Sequence, residues 1–184
     1  MQPAIYIVSG IPGAGKTTVS RLLAERFERG VHVEEDLLQK LIVRGGLWPD
    51  GLPQDEAQRQ LRLRGRHACM LADSFFEAGF TVVLDGVVIA SRVDEFVAAI
   101  RGRPLLFVML TPSAEVVQAR DASRPEKHVF DTWSHLDAVV REETPRVGLW
   151  LDTSEQTAEE TVAEILRRME EAKVDDRLRP SGRS

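Results

Sequence analysis

The chain has 184 residues, of which 43% are hydrophobic and 29% charged, a balance that excludes a disordered or fibrous protein. Its formal net charge of −5 gives no general attraction to nucleic acid, which is therefore not an expected partner. The single cysteine, Cys69, excludes an internal disulfide and a cysteine-based metal cluster. No segment has the pattern of a signal peptide or membrane span, so we expect a cytoplasmic monomer or homodimer without membrane contact.

Apolar, strand-like runs alternate with helical patterns along the chain. Strands are predicted near 4–9, 31–35, 80–85, 104–111 and 147–152. Helices are predicted near 16–28, 36–43, 54–78, 91–101, 113–123, 134–143 and 155–172, with Thr153 or Ser154 as the cap of the last. This alternation predicts an α/β fold with parallel strands and right-handed crossovers. We expect one domain over residues 1–172 and a disordered tail over 173–184.

The first predicted strand leads into a phosphate-binding loop. Residues 10–17 fit the pattern G-x-x-x-x-G-K-[ST] at every fixed position, and a helical pattern follows. The glycines let successive N–H groups converge on phosphate oxygens, Lys16 brings positive charge to the outer phosphates, and Thr17 offers a hydroxyl to Mg²⁺. We therefore predict a nucleoside triphosphate with Mg²⁺ as cofactors. The predicted contact residues are Gly10, Ile11, Pro12, Gly13, Ala14, Gly15, Lys16, Thr17 and Thr18.

Missing motifs narrow the class of phosphate-loop protein. The chain contains no asparagine, and no aspartate is followed three residues later by glycine, which excludes a switch-type GTPase. An oligomeric motor ATPase would end its second motif strand in Asp-Glu, whereas this strand ends Leu84-Asp85-Gly86. The compact class that remains is the small kinase.

The chain resembles the small P-loop kinases, a group that includes chloramphenicol phosphotransferase, gluconate kinase, shikimate kinase, the zeta-toxin kinases and the kinase half of polynucleotide kinase. The marks are a carboxylate after the second strand, an arginine-bearing lid, and the turn Leu151-Asp-Thr-Ser154 before the last helix. The resemblance implies a five-stranded parallel sheet of order 2-3-1-4-5, with helices on both faces and a lid near residues 120–133. It also implies ATP-dependent transfer of the γ-phosphate to a hydroxyl of a small-molecule acceptor.

Three carboxylates lie at predicted strand ends. In the related kinases, an aspartate at the position of Asp36 holds the acceptor hydroxyl and takes its proton; the alternative is a helix cap. Glu34 shares the strand face of Asp36, and could contact metal or substrate or simply be solvated. The resemblance places Asp85 on the magnesium side, through water or a hydrogen bond to Thr17; the alternative is a turn aspartate before Gly86.

Two arginines, Arg120 and Arg124, lie four residues apart on a predicted helix. The resemblance assigns them to the lid, where a guanidinium neutralises charge on the transferring phosphate. The alternative is a solvated basic face paired with nearby carboxylates. The resemblance also places Thr153 in contact with the nucleotide.

A run of arginines over 59–66 follows a loop that contains Trp48. This face could bind an anionic acceptor, such as a nucleotide or RNA 5′ end, or it could be a solvated helix surface. Trp48 could stack on the acceptor or pack the loop onto the domain. A nucleotide or polynucleotide 5′-hydroxyl kinase and a non-catalytic ATP-binding regulator therefore remain as alternatives.

Overall fold

The computed structural model describes residues 2–122 and 135–175 of the chain. Within these residues the five predicted strands all form, each within two residues of its expected bounds. They are β1 (Ile5–Ser9), β2 (Gly30–Glu34), β3 (Thr81–Gly86), β4 (Leu105–Leu110) and β5 (Leu149–Leu151). They pair in parallel in the order β2-β3-β1-β4-β5, which confirms the predicted fold class and strand order.

The sheet centre is apolar because its strands are covered by helices on both faces. Every residue of β1, β3 and β4 is buried, which is typical of parallel strands between two helical layers. The helices of the described residues are α1 (Lys16–Ala24), α2 (Glu35–Gln39), α3 (Gln54–Glu77), α4 (Ser91–Ala99), α5 (Ala114–Ala122), α6 (Leu136–Glu142), α7 (Ala158–Arg167) and α8 (Met169–Ala172). Helix α1 packs against α7, and α3 packs against α4.

The predicted last helix is divided, and its cap lies later than expected. The helical pattern over 155–172 becomes α7 and α8, which are separated at Arg168. The N-cap is Thr157 rather than Thr153 or Ser154. The Thr157 hydroxyl accepts a hydrogen bond from the Glu160 N–H, and the Glu160 carboxylate accepts one from the Thr157 N–H. This reciprocal capping box satisfies two N–H groups that a helix start otherwise leaves unpaired.

Two further stretches bear on the predicted domain bounds. Lys173 forms an antiparallel bridge with Leu106, and the buried Val174 donates its N–H to the Leu105 carbonyl. The rest of the expected tail, residues 176–184, lies outside the described residues. So does most of the expected lid, since the described chain stops at residue 122 and resumes at 135 in front of α6.

Candidate active site

The phosphate loop joins the end of β1 to the start of α1. Gly13 and Gly15 have φ angles of 90° and 92°, a region that L-residues with side chains rarely adopt. A Cβ on Gly13 would also lie 2.7 Å from a methyl carbon of Val117, so the loop packs closely against α5. Gly15 is the N-cap of α1, which points the positive end of the helix dipole into the loop. The local sequence thus builds an anion-binding concavity.

The predicted phosphate-contacting residues lie together at this junction. Lys16 is the first residue of α1 and is partly buried, and its Nζ donates a hydrogen bond to the Ile11 carbonyl at 3.0 Å. Thr17 and Thr18 follow in the first helical turn and are at least partly exposed. The Lys16 ammonium is therefore folded back along the loop. A triphosphate would draw it away from a neutral carbonyl, because a charge-assisted hydrogen bond to phosphate is stronger. The loop residues ahead of it are Gly10, Ile11, Pro12, Gly13, Ala14 and Gly15.

Asp85 lies inside β3, in register with Val8 of β1 on one side and Glu34 of β2 on the other. Its Oδ2 is buried and makes no hydrogen bond within the described residues, although Nε2 of His32 lies 3.3 Å away. Because Asp85 is a buried strand residue, its alternative interpretation as a turn aspartate is wrong. Burial raises the pKa of the Glu34 carboxyl above its usual range, and the negative charge of Asp85 raises it further.

A magnesium ion fits this end of the sheet through few protein ligands. No group of three or more His, Cys, Asp or Glu side chains within residues 2–122 and 135–175 is arranged to hold a metal. Mg²⁺ in phosphate-loop enzymes takes one or two protein groups and completes its shell with water and phosphate oxygens. The Thr17 hydroxyl and the buried Oδ2 of Asp85 are donors of the right chemistry. Thr17 and Asp85, the two ligands predicted from the sequence, would hold the ion.

Asp36 lies in the first turn of α2 at the carboxyl edge of the sheet. Its side chain is 55% exposed. The N-cap of α2 is Glu34, and no side chain caps this helix, so the alternative role of Asp36 as a helix cap is wrong. Asp36 Oδ1 lies 3.5 Å from Nη1 of Arg64 on α3. The carboxylate is therefore open to solvent on one side and bordered by a guanidinium on the other.

Glu35, the neighbour of Asp36, forms the centre of a buried ion cluster that the sequence did not reveal. It is fully buried, and its Oε1 accepts hydrogen bonds from Arg64 Nε at 3.3 Å and from Arg92 Nη2. A Cβ on Gly86 would collide with its Oε2, so a larger residue at the end of β3 would have to displace the Glu35 carboxylate. Glu35 thereby ties α2 to α3, α4 and β3. In the sequence, only the alternation of faces along a strand could have indicated this role, because it places Glu35 on the opposite face from Glu34 and Asp36.

The loop between α2 and α3 is held by two glutamines. Gln39 donates to the Leu47 carbonyl at 3.0 Å, and Gln60 accepts from the Leu47 N–H at 2.7 Å and donates to the Gly45 carbonyl at 2.9 Å. Trp48 is partly buried, and its ring centre lies 5.5 Å from the Arg64 guanidinium carbon. The loop therefore forms a fixed wall beside Arg64.

The arginines over 59–66 do not act as one face. Arg59 pairs with Asp55 at 3.0 Å and Glu56 at 2.8 Å on its own helix, as expected for a solvated surface. Arg64 turns inward to Glu35, whereas Arg62 and Arg66 are exposed and line a shallow groove between α3 and α4. Of the two interpretations of this run, a continuous face for an anionic acceptor is not seen, because the arginines are divided among three environments.

Arg120 lies beside the phosphate loop. Its guanidinium donates to the Thr153 carbonyl at 3.0 Å and to the Ala14 carbonyl at 3.4 Å. Nη1 also lies 3.8 Å from the position of a Cβ on Gly15. These backbone contacts hold the guanidinium beside the phosphate loop. Arg124, its predicted companion, lies outside the described residues.

Arg120 connects Thr153 to the phosphate loop. It is buried, and its Oγ1 makes no hydrogen bond to any described residue. Its carbonyl accepts from Arg120, which in turn contacts the phosphate loop at Ala14. The structure therefore assembles the loop, Arg120 and Thr153 on one side, and Asp36 with Arg64 on another.

The loop after β3 is also held in place by side-chain hydroxyls. Ser9 Oγ donates to the Val88 carbonyl at 2.8 Å and accepts from the Val88 N–H at 3.1 Å. Ala90 has a φ of 48°, and its N–H donates to Thr144 Oγ1 at 3.0 Å. A non-glycine residue at positive φ is costly and persists only when its surroundings hold it. These contacts keep the loop fixed where it meets Glu35 and Arg92.

None of the helices between residues 2 and 122 or between 135 and 175 is long and apolar enough to cross a bilayer.

The chain is similar to known proteins in sequence. The family model described as AAA domain (AAA_33) matches residues 5–140. A putative adenylate kinase of Thermococcus onnurineus is 35% identical over 167 residues, covering 88% of this chain and 82% of that protein. A shikimate kinase of Chromobacterium violaceum is 25% identical over 178 residues, covering 95% and 92%. A UPF0200 protein of Aeropyrum pernix is 37% identical over 86 residues, and the chain spans 46% of that relative.

Solved structures share the fold. A sugar kinase from Janibacter superimposes with a TM-score of 0.66 at 19% identity, covering 98% of this chain and 99% of that one. A shikimate kinase from Acinetobacter baumannii, in complex with shikimate, superimposes with a TM-score of 0.59 at 23% identity, covering 92% and 93%. The family match spans more than half of the chain and includes the phosphate loop. The chain therefore belongs to the AAA_33 family of AAA domains, and it shares its fold with the small P-loop kinases named above.

Proposed function

We propose that the protein is an ATP-dependent kinase that transfers the γ-phosphate to a hydroxyl group of a small-molecule acceptor. The observation that carries this proposal is the Asp36 carboxylate. It is exposed, it caps no helix, and it lies at the same edge of the sheet as the phosphate loop. In an open α/β sheet, ligands bind outside the carboxyl ends of the strands.

The transfer requires a hydroxyl held in line with the γ-phosphorus. The acceptor oxygen forms a bond to that phosphorus, the bond to the β–γ bridging oxygen breaks, and ADP leaves. The hydroxyl proton passes to Asp36 late in the reaction, and a strong base is not required because the transition state is loose. Mg²⁺ held by Thr17 and Asp85 would neutralise part of the phosphate charge. Lys16 and Arg120 bring fixed positive charge to the same phosphates.

Replacement of Asp36 by asparagine tests this role. Asparagine has nearly the same shape as aspartate, so ATP affinity should be unchanged while kcat falls by about 10² or more, the usual scale for a positioned proton acceptor. The matched control is Asp94→Asn, since Asp94 is also an exposed aspartate in the first turn of a helix, α4. ATP consumption would be followed against aminoglycoside, phenicol, sugar, sugar-acid and nucleoside acceptors, with an RNA 5′-hydroxyl oligomer included. Transfer by Asp36→Asn within a few-fold of wild type would rule out the proposed role.

A nucleotide kinase is the second candidate. The observation that favours it is the likeness to the protein named putative adenylate kinase, at 35% identity over most of both chains. An acceptor phosphate would need cations that can turn toward it, such as the exposed Arg62 and Arg66. AMP therefore belongs in the acceptor panel. Rapid ADP formation from ATP and AMP alone would favour this second function over the first.

A further inference from the structure

The acceptor side of the site holds two arginines, and both are already matched by carboxylates. Arg92 donates through Nη1 to the Val87 carbonyl and through Nη2 to Glu35. Arg64 donates through Nε to the same Glu35 oxygen and lies 3.5 Å from Asp36. Two guanidiniums thus face two carboxylates. A carboxylate or phosphate placed beside Asp36 would meet uncompensated negative charge, which is unfavourable in a partly desolvated site.

The remaining charges near this edge do not reverse that balance. Asp85 and Glu34 add negative charge at the end of the sheet, and the exposed Lys40 acts on Glu34 by lowering its pKa. The groove that contains Arg62 and Arg66 lies between α3 and α4 and includes Glu95. Among the described residues, the two arginines on this side are thus matched, and the exposed Lys40, at the end of α2, is the cation that an anionic acceptor would have to recruit.

Several buried polar atoms at this end of the sheet make no hydrogen bond within the described residues, and one of them, on Arg64, lies next to Asp36. Arg64 is 5% exposed, and its Nη1 makes no hydrogen bond within the described part of the chain, although Asp36 Oδ1 lies 3.5 Å away. Buried donors are nearly always paired, so this one indicates a missing partner. A donor and a carboxylate at this separation match two adjacent hydroxyl groups. One hydroxyl donates to Asp36, and the oxygen of its neighbour accepts from Arg64.

We propose that the acceptor is an uncharged molecule with adjacent hydroxyl groups, a sugar or polyol, and that Arg64 Nη1 binds the hydroxyl next to the one that is phosphorylated. This specificity rests on the proposed kinase function. Trp48 and its tethered loop form the neighbouring wall, which limits the size of the acceptor. Arg64 is a substrate-binding residue in this arrangement and takes no part in moving the proton.

The test compares matched acceptors on the wild-type protein. Binding would be measured by calorimetry with AMP-PNP and Mg²⁺ present, using a panel of pentoses, hexoses and their alditols against the corresponding aldonic acids and sugar monophosphates. We expect an uncharged member to bind at least tenfold more tightly than its acidic counterpart. An acidic member that binds more tightly would overturn the proposal, as would a panel in which no uncharged member binds.

Turnover separates this proposal from the function on which it rests. If ATP is consumed with sugar acids or AMP but not with uncharged acceptors, the protein is a kinase and the proposed specificity is wrong. If AMP-PNP binds but no acceptor of any charge is phosphorylated, the kinase function itself fails.

A substitution at Arg64 adds an independent readout. Arg64→Lys keeps the positive charge beside Glu35 but removes the second guanidinium nitrogen, so acceptor affinity should fall tenfold or more while AMP-PNP affinity is unchanged. Arg59→Lys, at an exposed position on the same helix whose guanidinium pairs with Asp55 and Glu56, is the matched control and should change neither. Equal acceptor affinity in a folded Arg64→Lys variant would remove Arg64 from the binding site. If that variant does not fold, the wild-type comparison of acidic and uncharged acceptors decides.

Discussion

Replacing Glu35 by glutamine tests the buried ion cluster under the acceptor side. The change keeps the size of the side chain but removes the charge that faces Arg64 and Arg92, whose side chains are 5% and 14% exposed. Neutralising one partner of a buried ion pair costs about 3–5 kcal/mol, because the remaining charge is left uncompensated. Arg64 keeps a second carboxylate, Asp36, at 3.5 Å. We therefore expect a loss of about 3 kcal/mol in the free energy of unfolding, the lower end of that range.

Urea and thermal unfolding, followed by circular dichroism, would measure this loss. For a domain of this size, about 3 kcal/mol corresponds to a fall of roughly 6–12 °C in Tm. The control is Glu25→Gln, which breaks an exposed pair with Arg21 at the end of α1 and should cost less than about 0.5 kcal/mol. ATP affinity should be unchanged in both variants, since among the described residues neither Glu35 nor Glu25 contacts the phosphate loop.

The comparison between the two variants decides the result. If Glu35→Gln unfolds at the same urea concentration as Glu25→Gln, with an unchanged m-value, the buried cluster adds no stability. The reasoning that it fixes α2 against α3 and α4 would then be refuted. A lower midpoint with a changed m-value would instead show that the native or denatured state had changed in compactness.

Three further predictions concern Lys16, Arg120 and the buried Cys69. Lys16→Ala should weaken ATP binding by about tenfold or more in calorimetry, because a charge-assisted hydrogen bond to phosphate is lost; affinity like that of wild type would contradict the loop assignment. Arg120→Lys should lower kcat more than it raises KM for ATP, since a point charge cannot replace the fork that contacts Thr153 and the loop; full rescue by lysine would count against this role. Burial raises the pKa of the Cys69 thiol to about 12. A thiol reagent at a mildly alkaline pH should therefore label Cys69 only after the protein unfolds. Rapid labelling of the native protein would contradict this burial.

The phosphate loop could be predicted from the sequence because its determinants are local. The fixed pattern over residues 10–17 lies between a strand and a helix, and each part of it acts within one turn of chain. The parallel sheet could be predicted from the alternation of strands and helices, which leaves few topologies. Its strand order came from the resemblance to the small kinases. The pattern does not show where the Lys16 side chain points, and the structure shows its Nζ donating to the Ile11 carbonyl.

The acceptor side depends on contacts between distant parts of the chain. Arg64 lies 29 residues from Glu35, and Arg92 lies 57 residues from it. Nothing in the arginine run over 59–66 distinguishes the member that turns inward from those that stay in water, because helical spacing alone does not show which face meets α2. Only the packing of α3 against both α2 and α4 makes that choice.

The role of Asp36 depends on a single junction. The sequence left two interpretations open, a helix cap or a substrate contact, because an aspartate suits both. The structure decides against the cap because β2 ends at Glu34 and α2 begins at Glu35 with no residue between them. The N-cap position therefore falls on Glu34, the buried position on Glu35, and the exposed position on Asp36. A junction one residue longer would have buried a different carboxylate, so the direct passage from strand to helix is what presents Asp36 at the carboxyl edge of the sheet.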